Sequence, residues 1–182
     1  LNKEELQSLL QQLMVAGNET TTSAITGGMV SLIRNPGQLQ LLQENPERIP
    51  NAVEEILRME SPSAGMWRVV KRDTEVHGVR IPRGSLVMLR YHAANRDRAV
   101  FEHPNDIAVE RENADSHIAF GQGIHFCPGA LLARKEMTVA FTALLSRLLN
   151  LRLIEERSDL TYWPNIVLRG LKEVHIAFDR VG

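Results

Sequence analysis

The start of the chain carries apolar and small residues at intervals of three and four positions, which is the spacing of one face of an α-helix. These residues are Leu6, Leu9, Leu10, Leu13, Gly17, Thr20 and Ala24. They predict one long helix over about residues 3–34. This helix should end before Pro36, because the residue that precedes a proline disfavours the helical conformation.

The middle of this predicted helix contains residues that form helices poorly. Gly17 costs about 1 kcal/mol relative to alanine, and the threonines at 20–22 lose rotamer freedom in a helix. The hydroxyl of Thr20 can bond the carbonyl oxygen of Ala16, a contact that bends helices locally. The sequence therefore predicts a distortion near Gly17, although a core helix that tolerates these residues would have the same composition.

Prolines and glycines divide the rest of the chain into shorter elements. Helical spacing predicts helices, and β-rich runs between Gly and Pro turns predict strands. The predicted elements are helices at about 38–44, 51–59 and 128–149, a small sheet at about 66–90, and strands at 151–154 and 174–178. The predicted fold class is mainly α with small β-sheets.

Composition narrows the class of protein without identifying it. The 182 residues are 43% hydrophobic, enough for one core, and nothing indicates a second domain. A net charge of -1 gives no reason to expect nucleic acid, and no apolar run approaches the roughly 18 residues of a membrane span. A single cysteine excludes an internal disulfide and fits a cytoplasmic protein.

That cysteine, Cys127, lies in a segment punctuated by Gly121, Gly123 and Gly129. The predicted helix begins next to it at Pro128, so free backbone N–H groups and the helix dipole favour its thiolate form. The three glycines are expected to adopt backbone conformations open to no other residue, and they allow a flat partner to approach the backbone. The segment therefore predicts a sulfur that binds a metal or attacks an electrophile.

Other interpretations of Cys127 compete with this one. A lone cysteine is most often an inert buried residue, although the surrounding glycines argue against that here. Structural zinc is disfavoured, because His125 is one residue removed and no second cysteine exists. A cysteine nucleophile needs a base, and the six histidines leave that option open.

The pattern Phe-Gly-x-Gly-x-His-x-Cys-x-Gly over residues 120–129 resembles the haem-binding loop of the cytochrome P-450 monooxygenases. The resemblance implies that Cys127 is the axial ligand of the iron in haem b (iron protoporphyrin IX). It also implies that Phe120 packs beneath the haem and that His125 bonds a propionate, with Gly121 and Gly129 completing the loop. Thiolate ligation donates electron density that favours O–O cleavage.

The segment 16–21 is similar to the oxygen-binding groove of the same family. The resemblance implies that Glu19 and Thr20 relay protons toward dioxygen, and that Ala16 and Gly17 border the cofactor. A distortion of the helix would then leave room for dioxygen and water.

A Glu-x-x-Arg pair, Glu55 and Arg58, lies in the predicted helix at 51–59. By itself the pair could be an exposed contact worth about 0.2–0.5 kcal/mol. In the family such a pair is buried and is completed by a further arginine, whose position Arg111 matches. The resemblance implies a structural network that fixes the segment beneath the haem.

Further residues acquire expected roles from the resemblance alone. Arg68 should bind a haem propionate, and Arg134 is a candidate contact for an electron-donor protein, with a solvated helix charge as the equal alternative. Substrate contacts are expected at Ala64, Gly65, Met66, Trp67, Ile166 and Val167.

The resemblance as a whole implies a bacterial, cytoplasmic haem-thiolate monooxygenase. Such an enzyme inserts one oxygen atom from dioxygen into a small apolar organic substrate, with electrons from a ferredoxin or flavodoxin-type donor. Family members are more than twice this long, so the chain is expected to be the C-terminal part of the fold without its N-terminal half. The alternatives are a remnant that binds no haem and a cysteine-dependent hydrolase.

Overall fold

The structure is a computed structural model that describes residues 1–180. The helices in these residues are α1 (Lys3–Ile33), α2 (Pro36–Glu44), α3 (Ile49–Glu60), α4 (Tyr91–Ala94) and α5 (Ala130–Arg147). Asn2 caps α1, because its side chain accepts the N–H of Glu5 (2.8 Å) while the Glu5 carboxylate accepts the N–H of Asn2 (2.9 Å). None of the helices in residues 1–180 is both long and apolar enough to cross a membrane.

Eight short strands form four antiparallel pairs in the described residues. The pairs are β1 (Met66–Val69) with β4 (Leu86–Leu89), β2 (Thr74–Val76) with β3 (Val79–Ile81), β5 (Leu148–Leu153) with β8 (Ile176–Arg180), and β6 (Asp159–Tyr162) with β7 (Leu171–Glu173). The prediction of a mainly α fold with small sheets is confirmed.

Helix α1 runs without interruption through the segment where a distortion was predicted. The hydroxyl of Thr20 does donate to the carbonyl oxygen of Ala16, at 2.8 Å. Every residue of Lys3–Ile33 nevertheless stays α-helical. A back-bond of this kind satisfies the hydroxyl without displacing the backbone hydrogen bonds of the helix.

The core lies where the second half of α1 meets α3 and α5. Leu32, Ile56 and Phe141 are almost fully buried there. Gly28 lets the helices approach closely, because a Cβ at that position would lie 2.5 Å from Cγ2 of Ile56 and 3.1 Å from Cζ of Phe141. The glycine that weakens α1 as an isolated helix is therefore required by packing.

The first half of α1 is exposed to solvent over its whole length. Its large apolar side chains lie at the surface of the described chain, and these are Leu6, Leu9, Leu10, Leu13, Met14 and Val15. The apolar spacing that predicts the helix thus marks a face that residues 1–180 do not cover.

Helix α5 starts later than the predicted 128–149. Pro128 and Gly129 form a turn, and the N–H of Ala130 donates to the carbonyl oxygen of Cys127 (3.3 Å). Gly129 has φ -87°, which any residue adopts, so its expected special conformation is wrong. At the other end Leu148 begins β5, and the β6–β7 hairpin was not predicted.

Candidate functional site

The loop before α5 folds back on itself and presents the sulfur of Cys127. The backbone N–H of Cys127 donates to the carbonyl oxygen of Phe120 (3.0 Å), and that of Phe126 to Gly123 (3.0 Å). Gly121 and Gly123 have φ values of 70° and 73°, which side chains other than glycine rarely tolerate. The Cys127 side chain is half-buried and not in a disulfide.

Exposed apolar side chains flank Cys127 in the sequence. Ile124 is 98% exposed, and Phe126, Leu131 and Leu132 are also exposed. An accessible thiol within an apolar surface, beside free N–H groups at the start of a helix, suits a flat apolar cofactor whose metal takes a thiolate. The residues present therefore fit haem.

Among the described residues, no histidine forms a hydrogen bond with the thiol of Cys127, as a base that activates it would. His117 bonds the carboxylate of Glu54, and His175 bonds that of Glu173. His125 lies on an exposed 3-10 turn, Gly123–His125. The hydrogen bonds of the structure therefore do not favour a cysteine-dependent hydrolase.

A polar network of Glu54, His117 and Arg134 contacts Phe120, and it was not predicted from the sequence. Arg134 donates from Nε and Nη2 to the two carboxylate oxygens of Glu54, at 2.7 and 2.8 Å. His117 Nε2 bonds the same carboxylate at 3.2 Å, and its Nδ1 accepts the N–H of Ala119 (3.1 Å), which places the proton on Nε2. The Arg134 guanidinium lies 4.7 Å over the ring of Phe120.

The electrostatics of this network favour its charged form. Burial alone would raise the pKa of Glu54, but the hydrogen bonds from His117 and Arg134 and the charge of Arg134 outweigh it and lower the pKa to about 2. The bond to Glu54 in turn raises the pKa of Arg134. Glu54 is thus an ionised anchor that joins α3 to α5 and to the segment before the loop.

The structure shows how accessible Arg134 is for the expected contact with an electron-donor protein. Its side chain is only 30% exposed, and its charge is paired with Glu54. No local pattern indicates this pairing, since Glu54 and Arg134 are 80 residues apart in the chain. Only the fold brings them together.

Glu55, Arg58 and Arg111 meet in a second, deeper network. Glu55 and Arg58 are completely buried, with Arg58 Nε and Nη2 at 2.7 and 2.9 Å from the two Glu55 oxygens. Arg111 Nε lies 3.1 Å from both oxygens. The carboxylate is thus held from two sides by charge-assisted hydrogen bonds.

The same arginines bind the backbone of the irregular segment that precedes the loop. Arg58 Nη1 donates to the carbonyl oxygens of Asn95 and Pro104, both at 2.8 Å. Arg111 Nη1 donates to that of Glu102 at 2.7 Å. The network therefore stitches α3 to residues 95–111.

The residues expected at the oxygen-binding groove lie on α1. Ala16, Gly17 and Glu19 are exposed on α1, and Thr20 is partly buried. Among the described residues, no side-chain hydrogen bond joins Glu19 or Thr20 to the Cys127 loop, and the one side-chain hydrogen bond of Thr20 goes to Ala16.

Arg68 and the loop border one cavity. Arg68, on β1, donates to the carbonyl oxygen of Trp67 (2.8 Å) and lines a space of about 230 Å³. Tyr91 and Gln122 line the same space, and Gln122 belongs to the loop. An arginine that faces the loop across a cavity suits an acidic group such as a propionate.

The two segments expected to contact substrate pair with each other. The N–H of Ala64 donates to the carbonyl oxygen of Val167 (2.7 Å), and that of Arg169 to Pro62 (2.8 Å). Gly65 is buried, whereas Met66, Trp67 and Ile166 are exposed. Residues 62–67 and 166–169 thus form one surface.

Comparison with known proteins gives consistent results. The Cytochrome P-450 family model matches residues 1–169. The chain is 41% identical over 178 residues to cytochrome P-450 CYP107DY1 of Priestia megaterium, which covers 98% of this chain and 43% of that protein. It is 40% identical over 178 residues to the steroid C26-monooxygenase of Mycobacterium tuberculosis, covering 98% and 48%.

Solved structures agree in fold. Cytochrome P-450 CYP150A6 of Mycobacterium marinum, in its substrate-free form, superposes with a TM-score of 0.89 at 40% identity, covering 93% of this chain and 43% of that one. CYP109B1 of Bacillus subtilis gives 0.90 at 41% identity, covering 97% and 47%. The chain therefore spans about half the length of the relatives it matches. With a family match over residues 1–169 and a loop built around one accessible thiol, the chain belongs to the cytochrome P-450 family.

Proposed function

We propose that this chain is the C-terminal part of a haem-thiolate monooxygenase that acts on a small apolar organic substrate. The observation that carries the proposal is the accessible thiol of Cys127 in a glycine loop at the start of α5. Bound haem b supplies the activation of dioxygen and the transfer of one oxygen atom. The residues of the chain hold the cofactor, exclude water and deliver protons.

On the cofactor side, Cys127 supplies the thiolate to the iron, and Gly121, Gly123 and Gly129 allow close approach. Phe120, held by the Arg134 guanidinium, packs beneath the sulfur. Arg68 and His125 bind the propionates, a role that suits the position of Arg68 on a cavity beside the loop. Glu55, Arg58 and Arg111 are structural and keep the segment beneath the loop in place.

On the oxygen side, Ala16 and Gly17 border the cofactor while Glu19 and Thr20 hold and pass protons. The hydroxyl of Thr20 donates to the Ala16 carbonyl oxygen, so its oxygen lone pairs are free to accept a hydrogen bond from water. Glu19 next to it supplies a carboxylate that can exchange protons with solvent, because it is exposed.

Relatives support an apolar substrate. One is named a steroid C26-monooxygenase, and CYP109E1 of Bacillus megaterium was solved with corticosterone at 34% identity. Ala64, Gly65, Met66, Trp67, Ile166 and Val167 would contribute to the substrate surface. Electrons would come from a ferredoxin or flavodoxin-type protein in the cytoplasm.

Proton delivery can be tested with a matched pair of threonines on α1. Thr20 and Thr22 each donate to a carbonyl oxygen four residues back at 2.8 Å, but only Thr20 lies in the proposed relay. In the whole haem-loaded enzyme, Thr20→Ala should divert NAD(P)H-derived electrons from product to hydrogen peroxide, whereas Thr22→Ala should leave the ratio unchanged. Equal coupling in both variants would remove Thr20 from the mechanism.

A further inference from the structure

A cavity of about 240 Å³ lies between the start of α4 and the connection from β6 to β7. Three basic side chains line it, those of Arg90, His92 and Arg169. Its remaining wall includes the apolar side chains of Ala64 and Ile166. The cavity therefore combines cationic groups with a surface that suits carbon atoms.

The charges around the cavity are predominantly positive. No aspartate or glutamate is among its described lining residues, and Arg90 has no carboxylate partner among residues 1–180. Glu60 interacts electrostatically with Arg169, and burial raises the pKa of Glu60 despite the hydrogen bond from Ser31 (2.9 Å).

The pKa of His92 is also affected by these positive charges. Burial is the main reason that its pKa is lowered to about 4, and the charges of Arg96, Arg169 and Arg90 lower the pKa further. His92 is therefore neutral at pH 7, and its ring can donate one hydrogen bond.

Two nitrogen atoms at the cavity have no partner in the described residues although they are buried. These are Nε2 of His92 and Nε of Arg169. The Arg169 guanidinium is already fixed in position, because it stacks 3.7 Å from the centre of the Tyr162 ring and donates to the Tyr162 hydroxyl. A buried donor without an acceptor is unfavourable, so the site is built to receive one.

We propose that this cavity binds the carboxylate of an organic substrate, held by Arg90 and Arg169, with the adjoining carbons against Ala64 and Ile166. A carboxylate matches the planar fork of a guanidinium. The apolar wall favours an organic acid over a bare inorganic anion. The inference rests on the proposed monooxygenase function, since it names the class of substrate, but binding can be measured without turnover.

The test uses hexanoate and hexanamide, which share a carbon chain and differ in charge. Isothermal titration calorimetry at pH 7 on the whole haem-loaded protein should show hexanoate binding at least tenfold more tightly than hexanamide. Arg90→Gln should weaken hexanoate binding about tenfold and leave hexanamide unchanged. This variant should fold normally, because Arg90 is exposed and its one side-chain hydrogen bond among residues 1–180 is a long one to the Met88 sulfur, at 3.9 Å.

The matched control is Arg83→Gln, which removes the same charge from an exposed position outside the cavity. Inorganic phosphate serves as the competing anion, and it should displace hexanoate poorly. Equal affinity for hexanoate and hexanamide, equal effects of the two variants, or binding of phosphate in preference to hexanoate would each overturn the proposal. If product still forms from an apolar substrate in that case, only the anion site fails, whereas a protein without thiolate-ligated haem refutes the proposed function itself.

Discussion

The network around Glu55 and the first half of α1 differ in how completely their side chains find partners within residues 1–180. Glu55 and Arg58 are completely buried, and every nitrogen of the Arg58 guanidinium has an acceptor within 2.9 Å. On α1, by contrast, Leu13 is 53% and Met14 77% exposed. One region buries charged groups whose hydrogen bonds are satisfied, and the other leaves apolar side chains at the surface.

Under the proposed function, this difference separates the residues that support the Cys127 loop from Glu19 and Thr20, which would deliver protons on the other side of the cofactor. The residues that brace the Cys127 loop find their partners within residues 1–180, whereas Glu19 and Thr20 lie on a helix segment that these residues do not cover. We therefore expect substitutions near Glu55 to change the stability of the fold, and substitutions at Thr20 to change coupling only.

The largest effect is expected from Glu55→Ala. Removing this carboxylate leaves Arg58 buried without its partner, which should cost about 3–5 kcal/mol of unfolding free energy. Glu155→Ala is the control, because Glu155 pairs with Arg34 at 3.3 Å on the surface and should cost well under about 1 kcal/mol. Denaturant unfolding measures both, and similar costs would mean that the buried network is no more important than a surface pair.

The next effect concerns acid stability through Glu54. Its folded pKa of about 2 lies below the ordinary value of 4.5, so its contribution is complete above pH 4.5 and is lost as the pH falls toward 2. The shift corresponds to on the order of 3 kcal/mol. Unfolding free energies measured between pH 7 and pH 2 should therefore fall less steeply for Glu54→Gln.

Glu156→Gln provides the control for that pH series, because Glu156 is exposed. Its stability curve should parallel that of the unsubstituted protein. If Glu54→Gln followed the same curve as well, the bonds from Arg134 and His117 would not hold Glu54 in its ionised form.

A smaller effect on stability is expected from substitutions at two glycines of α1. A Cβ at Gly28 would press on Ile56 and Phe141, so Gly28→Ala should destabilise the chain by about 1–3 kcal/mol. Nothing described lies within 4 Å of a Cβ at Gly17, so Gly17→Ala should stabilise the helix by about 0.5–1 kcal/mol. Thermal unfolding of the 182-residue chain measures both, and changes of the same sign would contradict the contrast between the two halves of α1.

Local sequence patterns predicted the features that depend on local physics. The spacing of apolar residues predicted α1 and its end before Pro36, and the glycines around Cys127 predicted a loop with unusual backbone angles at Gly121 and Gly123. Family resemblance, rather than spacing, identified Arg111 as the partner of Glu55.

Local sequence patterns did not predict contacts between distant segments. His117 lies 63 residues from Glu54, and no periodicity links them. The β6–β7 hairpin was missed because its strands are only four and three residues long and their burial does not alternate from one residue to the next, which is the pattern that marks a half-buried strand. The start of α5 shifted because Gly129, rather than Cys127, occupies the N-cap position.

In the proposed function, Cys127 supplies a thiolate to haem iron. The most direct measurement is the absorption spectrum of the whole, haem-loaded, reduced protein under carbon monoxide. We expect the red-shifted Soret band of thiolate ligation, and we expect Cys127→Ala to lose it. The Ile124→Ala variant should keep the band, because it alters only a fully exposed side chain of the same loop. A Cys127→Ala protein that kept the red-shifted band would contradict the account.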